Sequence, residues 1–401
     1  MSATPQHRVL VLGGGKIGSL IAALLAESGS YHVDLADLSP TAAADIAAAH
    51  PRAALRPHVL DAANPEALDS HLRAHPVSAV LCALPFRCNR VVAQVCRRRE
   101  VHYFDLTEDV ETTRHVLEIA AGAPTAFVPQ CGLAPGMISI VAADLLSRFD
   151  EVHDVKLRVG ALPQHPSNAL KYALTWSTDG LINEYGNTCY GLVAGKITPF
   201  APLEGLETLQ LDGQLYEAFH TSGGIGTLAE THAGRVRSMS YKTLRYPGHC
   251  AQIQLLMNDL RLNEDRDTLK RILERAVPRT EQDVVLFYVS VTGTKRGQLT
   301  EETFARKLYP RRVAGHPRTA IQLTTAAGIT AALDLVLSSP GRFRGFVRQE
   351  QLRLPDVLEN RFGSLYSQSA STRSSPIRAG LHGAIEPLRL VTDLLEAVQD
   401  P

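Results

Sequence analysis

The residues near the start of the chain that could bind a ligand are glycines. Residues 13–18 read GGGKIG and fit the pattern G-x-G-x-x-G, which indicates dinucleotide binding where it follows a strand and opens a helix. In such a loop the first glycine permits a tight turn, the second lets a pyrophosphate approach the backbone, and the third lets helix and strand pack closely. The phosphates then lie at a helix N-terminus, whose free N–H groups attract anions. The predicted cofactor contacts in this loop are Gly13, Gly15, Lys16, Ile17 and Gly18.

An acidic residue follows where a dinucleotide needs one. Asp37 ends the second predicted strand, about 20 residues after the glycine loop, where a carboxylate hydrogen-bonds the ribose 2′-OH. A carboxylate there repels the 2′-phosphate of NADP, and Leu38 and Ser39 offer no arginine to hold it. The sequence therefore predicts NAD as the cofactor, with NADP less favoured. Asp61, at the end of the third predicted strand, is a candidate for the adenine pocket or else a solvent-exposed helix cap.

The elements that must position these residues alternate between strand and helix. Short apolar runs predict buried parallel strands, at 9–12, 32–37, 59–61, 77–84, 101–106 and 125–129. Helices are predicted between them, at 18–28, 40–49, 65–75, 89–99 and 111–121. This alternation indicates βαβ units and a Rossmann-type parallel sheet. Because ligands bind at the carboxyl ends of such strands, Ala83, Leu84 and Pro85 after the fourth strand are predicted to contact the cofactor.

The pattern changes near residue 151. Apolar and polar residues alternate over 151–162, as in an antiparallel sheet with one solvated face. Further strands are predicted at 235–246 and 283–294, and helices at 179–185, 249–260 and 319–337. We therefore predict an α/β protein with two domains. Residues 1–134 form a Rossmann NAD-binding domain, and residues 135–339 form an α+β domain with a mainly antiparallel sheet.

Composition argues against several classes of protein. The chain has 41 Lys and Arg against 41 Asp and Glu, and a net charge of zero argues against a nucleic-acid partner. No window approaches 18 consecutive apolar residues, so we expect no membrane span, and the apolar run near the N-terminus is too short for a signal peptide. The six cysteines contain no C-x-x-C pair, so no metal site is predicted. These features predict a cytoplasmic protein with reduced thiols.

Six motifs resemble a known family. The segments CALPFRCN, VHYFDLTED and PQCGLAPGM resemble the saccharopine dehydrogenase-like oxidoreductases, and GALPQHPSNALKYALTWSTDGLINEY, EAFHTSGGIGTLAET and YKTLRYPGH are similar to the lysine 6-dehydrogenase branch. The resemblance covers residues 8 to about 355. It implies NAD(P)-linked oxidation or reduction at a carbon that bears nitrogen in an amino-acid substrate. It also implies that C-terminal segments, at about 340–401, complete the Rossmann domain. The α+β domain is then expected to carry the substrate pocket and to form a homodimer. The Ser/Arg-rich segment 363–378 departs from the family, and a last helix is predicted at 386–398.

Oxidation at an amine carbon needs a base, because hydride leaves only when the nitrogen lone pair is free. The catalytic candidates within the family-like motifs are Glu184, Lys242, His249 and Lys171, and the substrate-binding candidates are Arg245, Tyr185 and Asp179. Each polar side chain also has a structural interpretation, such as a solvated helix charge for Glu184 or a helix cap for His249. Lys242 and Arg245 are three residues apart on a predicted strand, so they should face opposite sides. We expect Glu184 to orient the amine, with His249 or Lys242 as proton acceptor.

Two other functions fit parts of the same pattern. A reductase of the saccharopine or carboxynorspermidine dehydrogenase type joins an amine to a carbonyl compound and needs a longer pocket. A non-catalytic protein that senses nucleotides also uses a Rossmann domain, but it leaves the polar middle motifs unexplained.

Overall fold

The computed structural model describes residues 7–51, 54–313 and 315–367. The helix predicted at 386–398 and most of the Ser/Arg-rich segment 363–378 lie outside these residues. All described residues belong to one compact unit, so the boundary at residue 134 stays a prediction.

Seven parallel strands form the first sheet, in the order β17-β6-β5-β4-β1-β2-β3. Its strands are β1 (His7–Leu12), β2 (Tyr31–Asp37), β3 (Leu55–Val59), β4 (Ala79–Cys82), β5 (His102–Asp105), β6 (Ala126–Val128) and β17 (Gly345–Phe346). The six N-terminal strands have the order of a Rossmann fold. The predicted Rossmann-type sheet is therefore confirmed.

The third strand lies earlier than predicted. The prediction at 59–61 is wrong, because β3 spans Leu55–Val59. As the edge strand, β3 has mostly exposed or half-buried side chains and accommodates Pro57. It therefore lacks the apolar run that marks a central strand, and Val59 and Leu60 mark only its carboxyl end.

Helices connect the strands and cover the faces of this sheet. They are α1 (Lys16–Glu27), α2 (Ala42–Ala49), α3 (Pro65–Ala74), α4 (Asn89–Arg99), α5 (Val110–Ile119) and α6 (Met137–Leu146). Two of these helices have a side-chain cap. The side-chain oxygens of Asn64 at α3 and Asp109 at α5 accept hydrogen bonds from free backbone N–H groups at the helix start. These caps define where the loops after β3 and β5 end and the next helices begin.

The second sheet is mainly antiparallel, as predicted. Its strands are β7 (Glu151–Pro163), β8 (Cys189–Val193), β9 (Lys196–Phe200), β10 (Glu207–Leu211), β11 (Gln214–His220), β12 (Val236–Arg245), β13 (Asp283–Lys295) and β14 (Gln298–Leu308). The order is β10-β11-β12-β7-β13-β14, with β8 beside β12 and β9 beside β8, and only β7 and β12 pair in parallel. The predicted solvated face of β7 exists only in its first half, because residues 157–163 are all buried, Arg158 included.

The remaining elements surround the second sheet or return to the first. They are α7 (Thr178–Gly186), α8 (Leu228–His232), α9 (His249–Gln254), α10 (Arg266–Ala276), β15 (Arg311–Val313), β16 (His316–Arg318), α11 (Ala320–Leu337) and α12 (Leu354–Glu359). One hydrophobic core joins β1, α1 and α11 to β7, β12 and β13. The two sheets therefore share a core, and a site between them has fixed walls.

One described helix, α11, has the length and apolarity of a membrane span, with a mean hydropathy of 1.5 over 18 residues. In the fold 78% of this window is buried, and Asp334 on it accepts a 2.6 Å hydrogen bond from Tyr31 of β2. These contacts are those of a core helix. A search for unbroken apolar runs does not detect α11, because Gln322, Asp334 and several threonines interrupt it.

Candidate functional site

A cavity of about 430 Å³ lies at the carboxyl ends of β1, β4 and β5 and extends to the second sheet. The glycine loop forms one end, and β7, β12 and the segment that leads into α7 form the other. Its lining includes seven of the predicted cofactor contacts, namely Gly15, Lys16, Ile17, Gly18, Ala83, Leu84 and Pro85, and three of the other candidates, namely Asp179, Glu184 and Arg245. The cavity thus joins the predicted nucleotide loop to predicted substrate residues.

The glycine loop has the geometry that a pyrophosphate requires. A Cβ added at Gly15 would meet no atom within 4 Å, so the backbone there is open to a ligand. A Cβ at Gly18 would lie 1.8 Å from the Gly13 carbonyl oxygen, and Gly13 itself has a φ of +101°. Helix α1 begins at Lys16, immediately after the open position. The loop therefore fits a dinucleotide, with Gly15 at the approach and Gly13 and Gly18 allowing the turn.

Asp37 is fixed at the adenosine side of this loop. Its Oδ2 accepts a 2.6 Å hydrogen bond from the Gly14 N–H, and its Oδ1 accepts one of 2.8 Å from the Ser39 N–H. Asp61 lies at the end of the neighbouring strand, is exposed, and accepts a 3.0 Å hydrogen bond from the Ala63 N–H. Gly13, Asp37 and Asp61 do not line the cavity itself. Asp61 is not the cap of α3, because Asn64 holds that position, and its place in an adenine pocket stays a prediction.

At the opposite end, Arg245 presents a buried positive charge. Its Nε donates to Tyr185 Oη at 2.9 Å, its Nη1 donates to the Leu244 carbonyl oxygen at 2.9 Å, and its Nη2 lies 3.4 Å from Glu184 Oε2. The guanidinium also lies 4.9 Å from the centre of the Tyr172 ring. These contacts hold the guanidinium in place but do not use all of its five N–H donors. The remaining N–H groups can bind a ligand carboxylate in the cavity.

Two carboxyl groups, Glu184 and Glu108, line the same cavity as Arg245. Burial raises the pKa of Glu184 to about 7, although Arg245 opposes the shift, and burial also raises the pKa of Glu108 to about 7. Both line the main cavity and a second one of about 420 Å³. A carboxyl group with a pKa near 7 can accept or donate a proton at neutral pH.

The sequence analysis did not select Glu108. The residue follows β5, where ligands bind in such sheets, and this was the only signal available. Two glycines from other parts of the chain lie close to Glu108. A Cβ added at Gly223 would lie 2.5 Å from the Glu108 carbonyl oxygen, and one added at Gly180 would lie 2.6 Å from Glu108 Oε1. Gly180 and Gly223 thus pack against the loop that carries Glu108.

His249 lies behind Arg245 and not in the cavity. Its Nδ1 donates to the Leu170 carbonyl oxygen at 2.7 Å, and its Nε2 accepts from Tyr185 Oη at 2.9 Å. Burial, with the charge of Arg245, lowers its pKa to about 3. A neutral histidine with both nitrogens occupied cannot serve as the expected proton acceptor. His249 and Tyr185 instead hold Arg245 in place.

The two candidate lysines also lie outside the cavity. Strand β12 turns Tyr241, Thr243 and Arg245 towards it, so Lys242 faces the other side of the sheet. There its Nζ donates to the Gly205 carbonyl oxygen at 2.6 Å and to Glu207 at 2.7 Å. Lys171 is exposed, and its Nζ donates to the Pro247 carbonyl oxygen at 2.9 Å. Neither lysine lines the cavity, so the role of either as the base stays a prediction that this geometry does not support.

Asp179 is the remaining substrate candidate. It lines the cavity, but its Oδ2 forms a 2.7 Å ion pair with Lys270. Arg87 and Arg279 also line the cavity and make no hydrogen bond or ion pair with any residue in the described part of the chain. These two cations could bind further carboxylates of a ligand.

The fold and the site define a dinucleotide-binding oxidoreductase. The family model of the saccharopine dehydrogenase NADP binding domain matches residues 9–126, and that of the saccharopine dehydrogenase C-terminal domain matches residues 132–369. The chain therefore belongs to the saccharopine dehydrogenase family.

The chain is also similar to solved structures. Apo saccharopine dehydrogenase (L-Glu forming) from Saccharomyces cerevisiae matches with a TM-score of 0.70 and 17% identity, over 88% of this chain and 95% of the yeast chain. DAP dehydrogenase from C. glutamicum matches with a TM-score of 0.46 and 12% identity, over 92% and 100% of the two chains. A myo-inositol dehydrogenase from Corynebacterium glutamicum matches with a TM-score of 0.44 and 12% identity, over 90% and 94%.

Proposed function

We propose that the chain is an NAD-dependent dehydrogenase that oxidises the CH–NH2 or CH–NH group of an amino-acid substrate, as lysine 6-dehydrogenase does. The observation that carries this proposal is the buried pair of Arg245 and Glu184, which lines the same cavity as the glycine loop. A guanidinium and a carboxylate at one end of a cofactor cavity match the carboxylate and the amine of an amino acid. The two groups lie 3.4 Å apart, so a lysine substrate must bend back on itself to bring its ε-amine to Glu184 while Arg245 holds its carboxylate.

The residues of this chain supply binding and proton transfer. Arg245 binds the substrate carboxylate, which then replaces Glu184 as its partner. Freed from Arg245, the Glu184 carboxylate accepts a proton from the substrate ammonium, and the neutral nitrogen can push electrons towards the carbon that loses hydride. A bound nicotinamide dinucleotide supplies the hydride acceptor. The imine product then reacts with water or cyclises, with Glu108 placed for the further proton transfer.

Asp37 supports NAD over NADP in this proposal. Its carboxylate is held at the end of β2 by the Gly14 N–H, where the adenosine ribose of a bound dinucleotide would lie. A 2′-phosphate would meet this negative charge. The family description names NADP, so the preference of this chain must be measured directly.

The second candidate function is a dehydrogenase of the saccharopine or carboxynorspermidine type. The second cavity favours it, because it shares Glu108 and Glu184 with the first and adds room for a longer secondary amine. Arg87 and Arg279 would bind the additional carboxylates of such a substrate. A smaller primary amine would leave both arginines unused.

The deciding experiment follows NADH and NADPH fluorescence with a panel of amines. Lysine, saccharopine and related diamines are each added with NAD and then with NADP. Turnover of lysine with NAD supports the first function, and turnover of saccharopine alone supports the second. Cofactor binding without turnover of any amine would overturn both and favour the nucleotide sensor.

We further propose a cytoplasmic homodimer that binds neither nucleic acid nor membrane. The second sheet ends in the edge strand β14, whose residues are mostly exposed or half-buried, and edge strands are commonly covered by a partner. Light scattering should give about twice the chain mass of 43.5 kDa. A mass of one chain at micromolar concentration would contradict the dimer.

A further inference from the structure

Three histidines meet at the outer edge of the first sheet, away from the cavity. His58 lies on the edge strand β3, His71 on the last turn of α3, and His75 directly after α3. His71 and His75 are four residues apart and so share one side of the helix end. The ring centres lie 4.8 Å apart for His58 and His71, 4.9 Å for His58 and His75, and 4.8 Å for His71 and His75.

The ring nitrogens are placed for a shared ligand. One nitrogen from each histidine lies within 4.8 Å of the other two. A tetrahedral zinc ion with Zn–N bonds of about 2.0–2.1 Å holds its ligands roughly 3.4 Å apart. Rotation of the half-buried rings about their side-chain bonds would bring the three nitrogens to this spacing.

Protein atoms leave part of this cluster unsatisfied. The Nε2 atoms of His58 and His71 and the Oδ2 atom of Asp34 are buried, and none of them has a hydrogen-bond partner among the described residues. Buried polar atoms are nearly always paired in folded proteins. A bound cation, completed by water, would pair His71 Nε2, whereas His58 Nε2 lies beside the Asp34 carboxylate and would be paired by it.

Asp34 adds the support that metal-binding histidines usually have. Its Oδ1 lies 3.3 Å from His58 Nε2, on the neighbouring strand β2. Ligating histidines commonly donate their second ring N–H to a carboxylate, which fixes the ring and increases its basicity. His58 would then bind through Nδ1 and donate from Nε2 to Asp34.

We propose that His58, His71 and His75 bind a divalent transition metal ion, with zinc as the preferred ion. Imidazole nitrogen suits zinc, copper and nickel, whereas magnesium and calcium prefer oxygen. The ion would tie the edge strand β3 to the end of α3. It would be structural, because none of the three histidines lines the cavity. The spacing of the cysteines predicts no metal site, and the three histidines come together only when β3 packs beside the end of α3.

The test uses the full chain without a histidine tag, stripped by a chelator and titrated with zinc in a calorimeter. We expect one zinc ion per chain and a rise in Tm on binding. His71→Asn and His75→Asn should each weaken zinc binding at least tenfold. The matched control is His32→Asn, which removes an exposed histidine from the adjacent strand β2 and should bind zinc as the unchanged protein does.

Cobalt gives a second measurement that does not depend on how well a variant folds. The unchanged chain with one equivalent of cobalt should show the visible absorption of a tetrahedral site with nitrogen ligands. A spectrum with thiolate charge-transfer bands would assign the ion to cysteines and overturn the proposal. Absence of stoichiometric uptake, or equal zinc affinity in the His71 and His75 variants, would also overturn it. Dehydrogenase turnover should persist after chelation, which separates this test from that of the proposed function.

Discussion

The two ends of the cavity are built in different ways. At the cofactor end, backbone groups of one short loop form the surface, and the spacing of three glycines determines its shape. At the substrate end, side chains from α7, β12 and the loop after β5 converge from positions far apart in the sequence. A local motif thus specifies the first end, whereas the second depends on how the two sheets pack. Substitutions can test whether the two ends act separately.

The largest effect is expected at the substrate end. Arg245→Gln should lower kcat/KM by about 1000-fold, because removal of a buried, hydrogen-bonded charge costs about 4 kcal/mol. The affinity for NAD, measured by fluorescence titration, should stay unchanged. Arg245→Lys is the matched variant, and it should fail to restore activity because an ammonium cannot make the three directed contacts of the guanidinium. A loss of NAD affinity in either variant would show that the two ends are coupled.

Removal of the proposed base should have the next largest effect. Glu184→Gln should lower kcat about 100-fold, the lower end of the effect of a general base. The ionised carboxylate accepts the proton, so the rate in the unchanged protein should rise with pH through about 7, where burial places the pKa of Glu184. This rise should vanish in the variant, while the rise towards about pH 9–10 from the substrate amine should remain.

His249→Asn is the control for that prediction. The substitution should position Arg245 less firmly, and this should appear mainly as a higher KM. The pH profile of the variant should match that of the unchanged protein, because His249 does not titrate near pH 7. An altered profile in the His249 variant, with a normal one for Glu184→Gln, would return the role of base to the histidine.

Two glycine variants should separate binding from folding at the cofactor end. Gly15→Val should weaken NAD binding about 100-fold, because its side chain occupies the open approach, while circular dichroism and Tm stay near those of the unchanged protein. Gly18→Ala is the contrasting variant, since its Cβ would clash with the Gly13 carbonyl oxygen and should lower Tm. Normal NAD affinity in Gly15→Val would mean that the loop has only a structural role.

The smallest effect is expected at Asp37. Asp37→Ala should weaken NAD about tenfold and improve NADP, because it removes both the partner of the ribose hydroxyl and the charge that repels the phosphate. The ratio of kcat/KM for the two cofactors measures this change. Better use of NADP than NAD by the unchanged protein would contradict the assignment.

The cofactor end of the cavity could be predicted from the sequence better than the substrate end. The parallel sheet, the glycine loop and Ala83 to Pro85 follow from local patterns, because each strand is directly followed by the loop that it positions. Strand alternation also separated Lys242 from Arg245 correctly, but it could not tell which of them faces the cavity. Glu108 and the burial of His249 were not predicted, because both depend on contacts between elements more than 60 residues apart in the chain.

The position of β17 affects how the chain can fold during synthesis. Gly345 and Phe346 pair with Ala126 and Phe127 of β6, so the first sheet lacks its last strand until more than 200 further residues have left the ribosome. Until then β6 is an unpaired edge, open to wrong partners. The first sheet therefore cannot be completed before the second sheet has been made, and we expect a chain cut before residue 345 to aggregate more readily than the full chain.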